Sequence, residues 1–218
     1  MEWMERVFSW RKRWAGWKFD RSHGVETRRK VACDDLTGMP SELRRHAGEY
    51  SPTHPALFRR ILRKSKVSPR DFTLVDLGCG KGRILIAASA YPFRCVVGVE
   101  ADQLLYEAAR RNVARAGIAS DVALIHGDAR TALLPEGNLF IFMYSPFRGP
   151  VFEDVARRLA GLALDPDRAI VIAYSADCEA AALDRTGVFT RVRMPRRIFW
   201  ARSTVSFFYN EAANQLRG

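Results

Sequence analysis

A chain of 218 residues, 48% of them hydrophobic, is long enough for one domain with a full core and an appendage. Its apolar runs stay below the roughly 18 residues of a membrane-crossing helix, and the first 20 residues lack a signal-peptide core. The four cysteines (Cys33, Cys79, Cys95, Cys178) form neither a Cys-x-x-Cys pair nor a metal-ligand cluster with the four histidines, so a soluble protein of a reducing, cytoplasmic compartment is expected. The net charge of +11 draws it toward polyanions, acidic proteins or anionic membranes without choosing among them.

The N-terminal segment places Trp3, Val7, Trp10, Trp14 and Trp17 at intervals of 4, 3, 4 and 3, a single stripe at about 100° per residue. A helix is expected there, docking this stripe on the domain. The alternatives are an anchor for a target protein and a basic interfacial helix, with Arg6, Arg11, Lys12, Arg13 and Lys18 around the tryptophans. From residue 20 to 49 the chain is polar and punctuated by Gly24, Gly38, Pro40 and Gly48, which predicts a connector with one helical turn around Ser41 to His46. Tyr50-Ser51-Pro52-Thr53-His54-Pro55 then leads into an apolar helix from Ala56 to Leu62, with Thr53 as its N-cap.

Strands and helices alternate from residue 72 onward. Phe72, Leu74 and Val75 predict a buried strand that ends at Asp76 and turns through Gly78, Gly80 and Gly82 into the helix Ile84-Leu85-Ile86-Ala87-Ala88. Such glycines let the backbone approach a ligand closely, and the helix start beyond them offers unpaired N–H groups. The Gly-x-Gly-x-Gly spacing is neither a dinucleotide fingerprint nor a P-loop. Lys81 and Arg83 read as solvated helix-start residues. The next strand, Val96 to Val99, ends at Glu100, 22 residues after Gly78, where an ionised carboxylate accepts both hydroxyls of a ribose. A helix over 102–117 follows, with Asp102 as N-cap and Gly117 as its stop.

Strand Val122 to Ile125 delivers Gly127-Asp128-Ala129, and Leu139 to Met143 ends in Tyr144-Ser145-Pro146-Phe147. Helices over 149–163 and 176–185 and strands over 168–174, 188–194 and 203–209 complete the pattern. The last two strands, joined through Pro195-Arg196-Arg197 without a helix, predict an antiparallel edge hairpin. Six arginines between 185 and 202, with no acid, form either a solvated edge or a surface for an acidic partner.

Asp76-x-Gly78-x-Gly80-x-Gly82, Glu100 and Asp128-Ala129, at the tips of three successive strands, resemble the cofactor site of the class I S-adenosylmethionine-dependent methyltransferases. The resemblance covers roughly residues 50 to 210. It implies an α/β, three-layer Rossmann-like fold with a seven-stranded, mostly parallel sheet and an antiparallel C-terminal edge hairpin. It divides the chain into a basic, Trp-rich appendage and connector (1–49) and a methyltransferase domain (50–218). It further implies S-adenosyl-L-methionine as cofactor, with Gly78, Gly80 and Gly82 lining the methionine part and Asp76 holding its amino group. Glu100 would take the 2′ and 3′ ribose hydroxyls, and Asp128 the adenine amino group beside the Ala129 backbone. Tyr50-x-Pro52-Thr53 is similar to a step in some protein-lysine methyltransferases of this class that closes over the cofactor carboxylate.

Amino-directed members end the fourth strand in Asp/Asn/Ser-Pro-Pro-Tyr/Phe. This chain has Ser145-Pro146-Phe147 and lacks the second proline, which disfavours nucleic acid as substrate. Tyr144, Ser145, Pro146 and Phe147 are the reaction-side candidates, with a merely rigid strand exit as the alternative. The expected function is methyl transfer to a protein nitrogen, lysine first, with no metal. A small-molecule N- or O-methyltransferase is the second reading, and a non-catalytic binding protein of the same fold the third.

Overall fold

Apolar runs of five or six residues, bounded by glycine or polar turns, become six short strands, and the four-residue Thr190–Arg193, with two arginines, becomes a seventh. They are β1 (Thr73–Leu77), β2 (Val96–Glu100), β3 (Val122–His126), β4 (Leu139–Tyr144), β5 (Ile170–Ser175), β6 (Thr190–Arg193) and β7 (Val205–Tyr209). A computed structural model describes residues 14–175, 177–194 and 204–217. The strands form one sheet in the order β3-β2-β1-β4-β5-β7-β6. The first five run parallel, and β7 pairs antiparallel with both β5 and β6. The expected edge hairpin is therefore present as a strand pair, while its turn through Pro195-Arg196-Arg197 lies outside the described residues.

Side chains alternate across the sheet, as the period of two demands. Leu74, Phe140 and Phe142 join one core with α3 (Pro55–Ser65) and α4 (Arg83–Ala88), and Val75, Ile141 and Met143 join another with α6 (Pro150–Leu162) and α7 (Ala180–Arg185). The sheet is thus covered on both faces, giving three layers. α5 (Gln103–Arg115) starts as predicted, with the Asp102 carboxylate accepting from the Leu105 N–H at 3.0 Å, and Gly117 beyond it adopts φ +72°. One cap differs from expectation. α3 begins at Pro55, and the His54 ring rather than Thr53 accepts from the Ala56 N–H. Proline at the first helical position fixes the entry one residue later, leaving Thr53 buried.

The N-terminal segment departs most from expectation. Residues 14–23 form a helix, α1, and it does dock, but through Gly16 and Asp20. Trp14 is 51% exposed on its far side and Trp17 41% exposed on its flank, so among the described residues the tryptophan stripe is turned away from the docking contact rather than buried in it. Trp3, Val7 and Trp10 lie outside the described residues. A buried ion pair holds α1, not its apolar stripe. Arg83 reaches Asp20 at 2.9 Å and Thr27 Oγ1 at 2.6 Å, and the Asp20 carboxylate also accepts from the Thr27 hydroxyl and the Thr27 and Arg28 N–H groups. Arg83, read from sequence as solvated, is buried. The connector carries α2 (Ser41–His46), as expected, and is pinned across the sheet ends by backbone bridges Val31↔Tyr50 and Ala47↔Phe147.

Candidate functional site

All the residues predicted to bind cofactor except Gly82 lie on one cleft outside the carboxyl ends of β1 to β4. The sheet order reverses direction between β1 and β4, which is where open α/β sheets bind ligands. The cleft encloses ≈ 900 Å³ of non-atom space, its open mouth included.

β1 ends in Asp76, 3% exposed, whose carboxylate has no hydrogen-bond partner among the described residues. Burial, and then the neighbouring Glu100, pushes its pKa well above the ordinary carboxylate value. The turn that follows is tight: Gly78, Gly80 and Gly82 have φ of 79°, 55° and 80°. A Cβ on Gly80 would stand 2.3 Å from the Tyr50 ring, and one on Gly78 2.3 Å from Pro146 Cβ. Only glycine permits both the left-handed backbone and these approaches. Gly82 faces α5 rather than the cleft, since its nearest neighbours are Ala109 and Val113.

Glu100, at the tip of β2, accepts from the Gly80 N–H at 2.8 Å and the Asp102 N–H at 2.9 Å. One carboxylate thereby ties the glycine turn to the start of α5. Burial raises its pKa to about 7 against the opposing pull of those N–H donors. Asp128, after β3, is already engaged: Arg130 donates to it from the backbone at 2.8 Å and from Nε at 2.7 Å. Its remaining lone pairs and the buried Ala129 border the cleft.

Tyr50 lies over the turn with its hydroxyl donating to the Thr27 carbonyl at 2.6 Å, so its ring rather than its hydroxyl faces Gly80. Thr53 lines the cleft from the entry to α3. At the exit of β4, Tyr144, Pro146 and Phe147 line the cleft, while Ser145 does not and instead holds φ +46°, a left-handed conformation that costs a non-glycine residue roughly 1–2 kcal/mol. Gly48 clamps this turn, donating to the Pro146 carbonyl at 2.8 Å where a Cβ would meet Ser145 O at 2.3 Å. Phe147 is 9% exposed and packs on Phe152, with ring centroids 5.9 Å apart.

The sequence reading missed the connector's contribution. Leu36, Met39, Leu43, Ala47, Gly48 and Glu49 all line the cleft. Leu36, Met39 and Leu43, spaced 3 and 4 apart in a polar stretch, were the available signal. The lining carries four carboxylates; Lys30 pairs with Glu49, Arg130 with Asp128, and Asp20 neutralises the lining Arg83, which leaves Asp76 and Glu100 as the acids without an ion-pair partner among the described residues. A basic protein thus holds an acidic cleft, suited to a cationic ligand. The lone buried carboxylate of Asp76, the free acceptor capacity of Glu100 and the glycine turn together fit an amino acid and ribose group such as S-adenosylmethionine carries.

Comparison with known proteins agrees with this geometry. The "Methyltransferase domain" family profile matches residues 74–162, the stretch from β1 to α6. A protein-lysine N-methyltransferase of Saccharolobus islandicus (strain REY15A) is 36% identical over 80 residues, covering 36% of this chain, which spans about half (49%) of the length of that curated relative. Among solved structures, the human methyltransferase 10 domain containing protein superposes with a TM-score of 0.59 at 14% identity, over 92% of this chain and 96% of that one. A ribosomal protein L11 methylase from Lactobacillus delbrueckii subsp. bulgaricus gives 0.53 at 19% identity, over 73% and 79%. At such identities the structures speak for the fold alone.

Proposed function

The chain carries a class I S-adenosylmethionine-dependent methyltransferase domain, and we propose that it transfers the methyl group to a nitrogen of a protein side chain, lysine first. The observation that carries the site assignment is the buried Asp76 carboxylate, without a partner among the described residues, beside Glu100 at the glycine turn. Asp76 takes the amino group of the methionine part, Gly78 and Gly80 leave room for its chain, and Glu100 accepts from the ribose hydroxyls. Asp128 and the Ala129 backbone border the adenine, and Tyr50 and Thr53 cover the carboxylate end. Gly82 acts by setting the turn.

When bound, S-adenosylmethionine supplies an electrophilic methyl on a sulfonium, so the protein's task is to hold a neutral nucleophile aligned with it. Tyr144 and the Pro146-Phe147 exit form that side of the cleft. A lysine ammonium must first lose its proton, and the desolvation that raises Asp76 and Glu100 lowers an amine's pKa. Lysine is favoured by the relative named above and by the Tyr50-Ser51-Pro52-Thr53 step on the cleft wall. Incubation with methyl-labelled cofactor and native extract, followed by separation of protein, RNA and small molecules, tests the reading. Label in protein, with a 14 Da increment on lysine by mass spectrometry, is expected. Label confined to small molecules would overturn the substrate assignment.

A further inference from the structure

We propose that the outward face of α1 binds an anionic phospholipid surface, holding the domain at a membrane. The inference is independent of the methyl-transfer reading. α1 is fixed to the domain on one side only. Asp20 enters the buried pair with Arg83, and Gly16 lies so close that a Cβ there would be 3.4 Å from the Arg83 guanidinium. At about 100° per residue, Trp14 points away from that contact and Trp17 flanks it, and both are exposed. Neither ring belongs to the buried core.

The cations around them define the partner. Lys18 stands over the Trp14 ring at 5.5 Å to the centroid and Arg21 over Trp17 at 5.2 Å. Both are exposed, so each ring is paired with a charge at the same height above the domain. Indole rings and basic side chains side by side match a headgroup boundary, where the ring sits among the upper acyl carbons and the cation meets lipid phosphate. The same 4,3,4,3 spacing continues back in the sequence through Trp10, Val7 and Trp3, with Arg6, Arg11, Lys12 and Arg13 between. The net charge of +11 adds long-range attraction to an anionic surface. An acidic protein would satisfy the charges but gives no reason for a row of tryptophans, whereas a bilayer satisfies both.

The test uses the full chain with vesicles of phosphatidylcholine containing phosphatidylglycerol, and with phosphatidylcholine alone. Expected are co-sedimentation with the anionic vesicles, a blue shift of tryptophan emission, and loss of both as salt is raised. The Trp14→Ala/Trp17→Ala variant should bind about tenfold or more weakly, and Lys18→Glu/Arg21→Glu should remove the preference for anionic lipid. Both variants should keep wild-type melting temperature and S-adenosylhomocysteine affinity, because none of these side chains reaches the core or the cleft. Absence of binding to anionic vesicles at low salt would overturn the proposal, as would binding unchanged by the tryptophan substitutions. Concentration-dependent self-association of the chain, lost in the tryptophan variant, would assign the face to a second copy instead.

Discussion

Cofactor affinity should fall as pH drops through neutrality, and Glu100 should be the main cause. Its carboxyl is pushed to about 7 by burial, while the proposed ribose contact needs the ionised form. One pH unit below that value, ionisation costs about 1.4 kcal/mol, so S-adenosylhomocysteine should bind roughly tenfold more weakly at pH 6 than at pH 8. The free protein should trend the other way. Between the ordinary glutamate pKa and about 7 the folded state binds the extra proton, so stability declines as pH rises through that window, by about 3 kcal/mol in total. Isothermal calorimetry and thermal melts from pH 5.5 to 8.5 measure both effects. Glu100→Gln keeps one acceptor oxygen for two N–H donors and lacks the charge. It should lose about 1.5–3 kcal/mol of binding at pH 8 and most of the pH dependence, the remainder belonging to Asp76. A wild-type affinity flat from pH 6 to 8, or a Glu100→Gln variant with the full tenfold slope, would refute the assignment.

Three further outcomes follow from the geometry. Gly80→Ala meets both a φ of 55° and the Tyr50 ring at 2.3 Å, so it should displace Tyr50 and abolish measurable S-adenosylhomocysteine binding; near-normal affinity by calorimetry would show that the ring does not fix the turn. Arg83→Met strands the buried Asp20 carboxylate and should cost about 3–5 kcal/mol in urea unfolding, and adding Asp20→Asn should recover part of it; simple additivity would mean the two side chains do not interact. Phe147→Ala should cost about 3–5 kcal/mol because the ring packs on Phe152, so turnover is better read on Phe147→Leu and Tyr144→Phe. Tyr144→Phe should lower kcat with S-adenosylhomocysteine affinity unchanged, and a normal kcat would place the acceptor elsewhere.

The sheet was legible because six of its strands are short apolar runs, and all seven fall within two residues of their predicted bounds. The candidate cofactor residues were picked out as carboxylates at or just beyond the ends of successive strands: Asp76, Glu100 and Asp128. Contacts between distant segments were not. Nothing local to Arg83 says that Asp20, 63 residues away, will neutralise it, nor that the glycine-punctuated stretch before Tyr50 will lie over the cleft. The tryptophan periodicity correctly predicted a helix over the described turns, but periodicity gives a stripe and not the direction it faces. A polar pair, Asp20 with Arg83, set that direction, and a hydrophobic pattern is blind to it.

The placement of charge joins these parts into one argument. Two buried carboxylates, Asp76 and Glu100, stand in a cleft that desolvates both, and Glu100 raises Asp76 further. Positive charge arriving in the same space therefore favours their ionised forms. Arg83 could have supplied it, since it lines the cleft, but Asp20 and Thr27 hold its guanidinium from the connector side. The internal cation is thus already spent, and the acidic cleft is left for a ligand that brings its own, as a sulfonium amino acid does. The pair that orients α1 outward therefore also keeps Arg83 from offsetting the acidity of the cleft, which makes residues 20–27 part of the site through the Arg83 and Tyr50 side chains they hold.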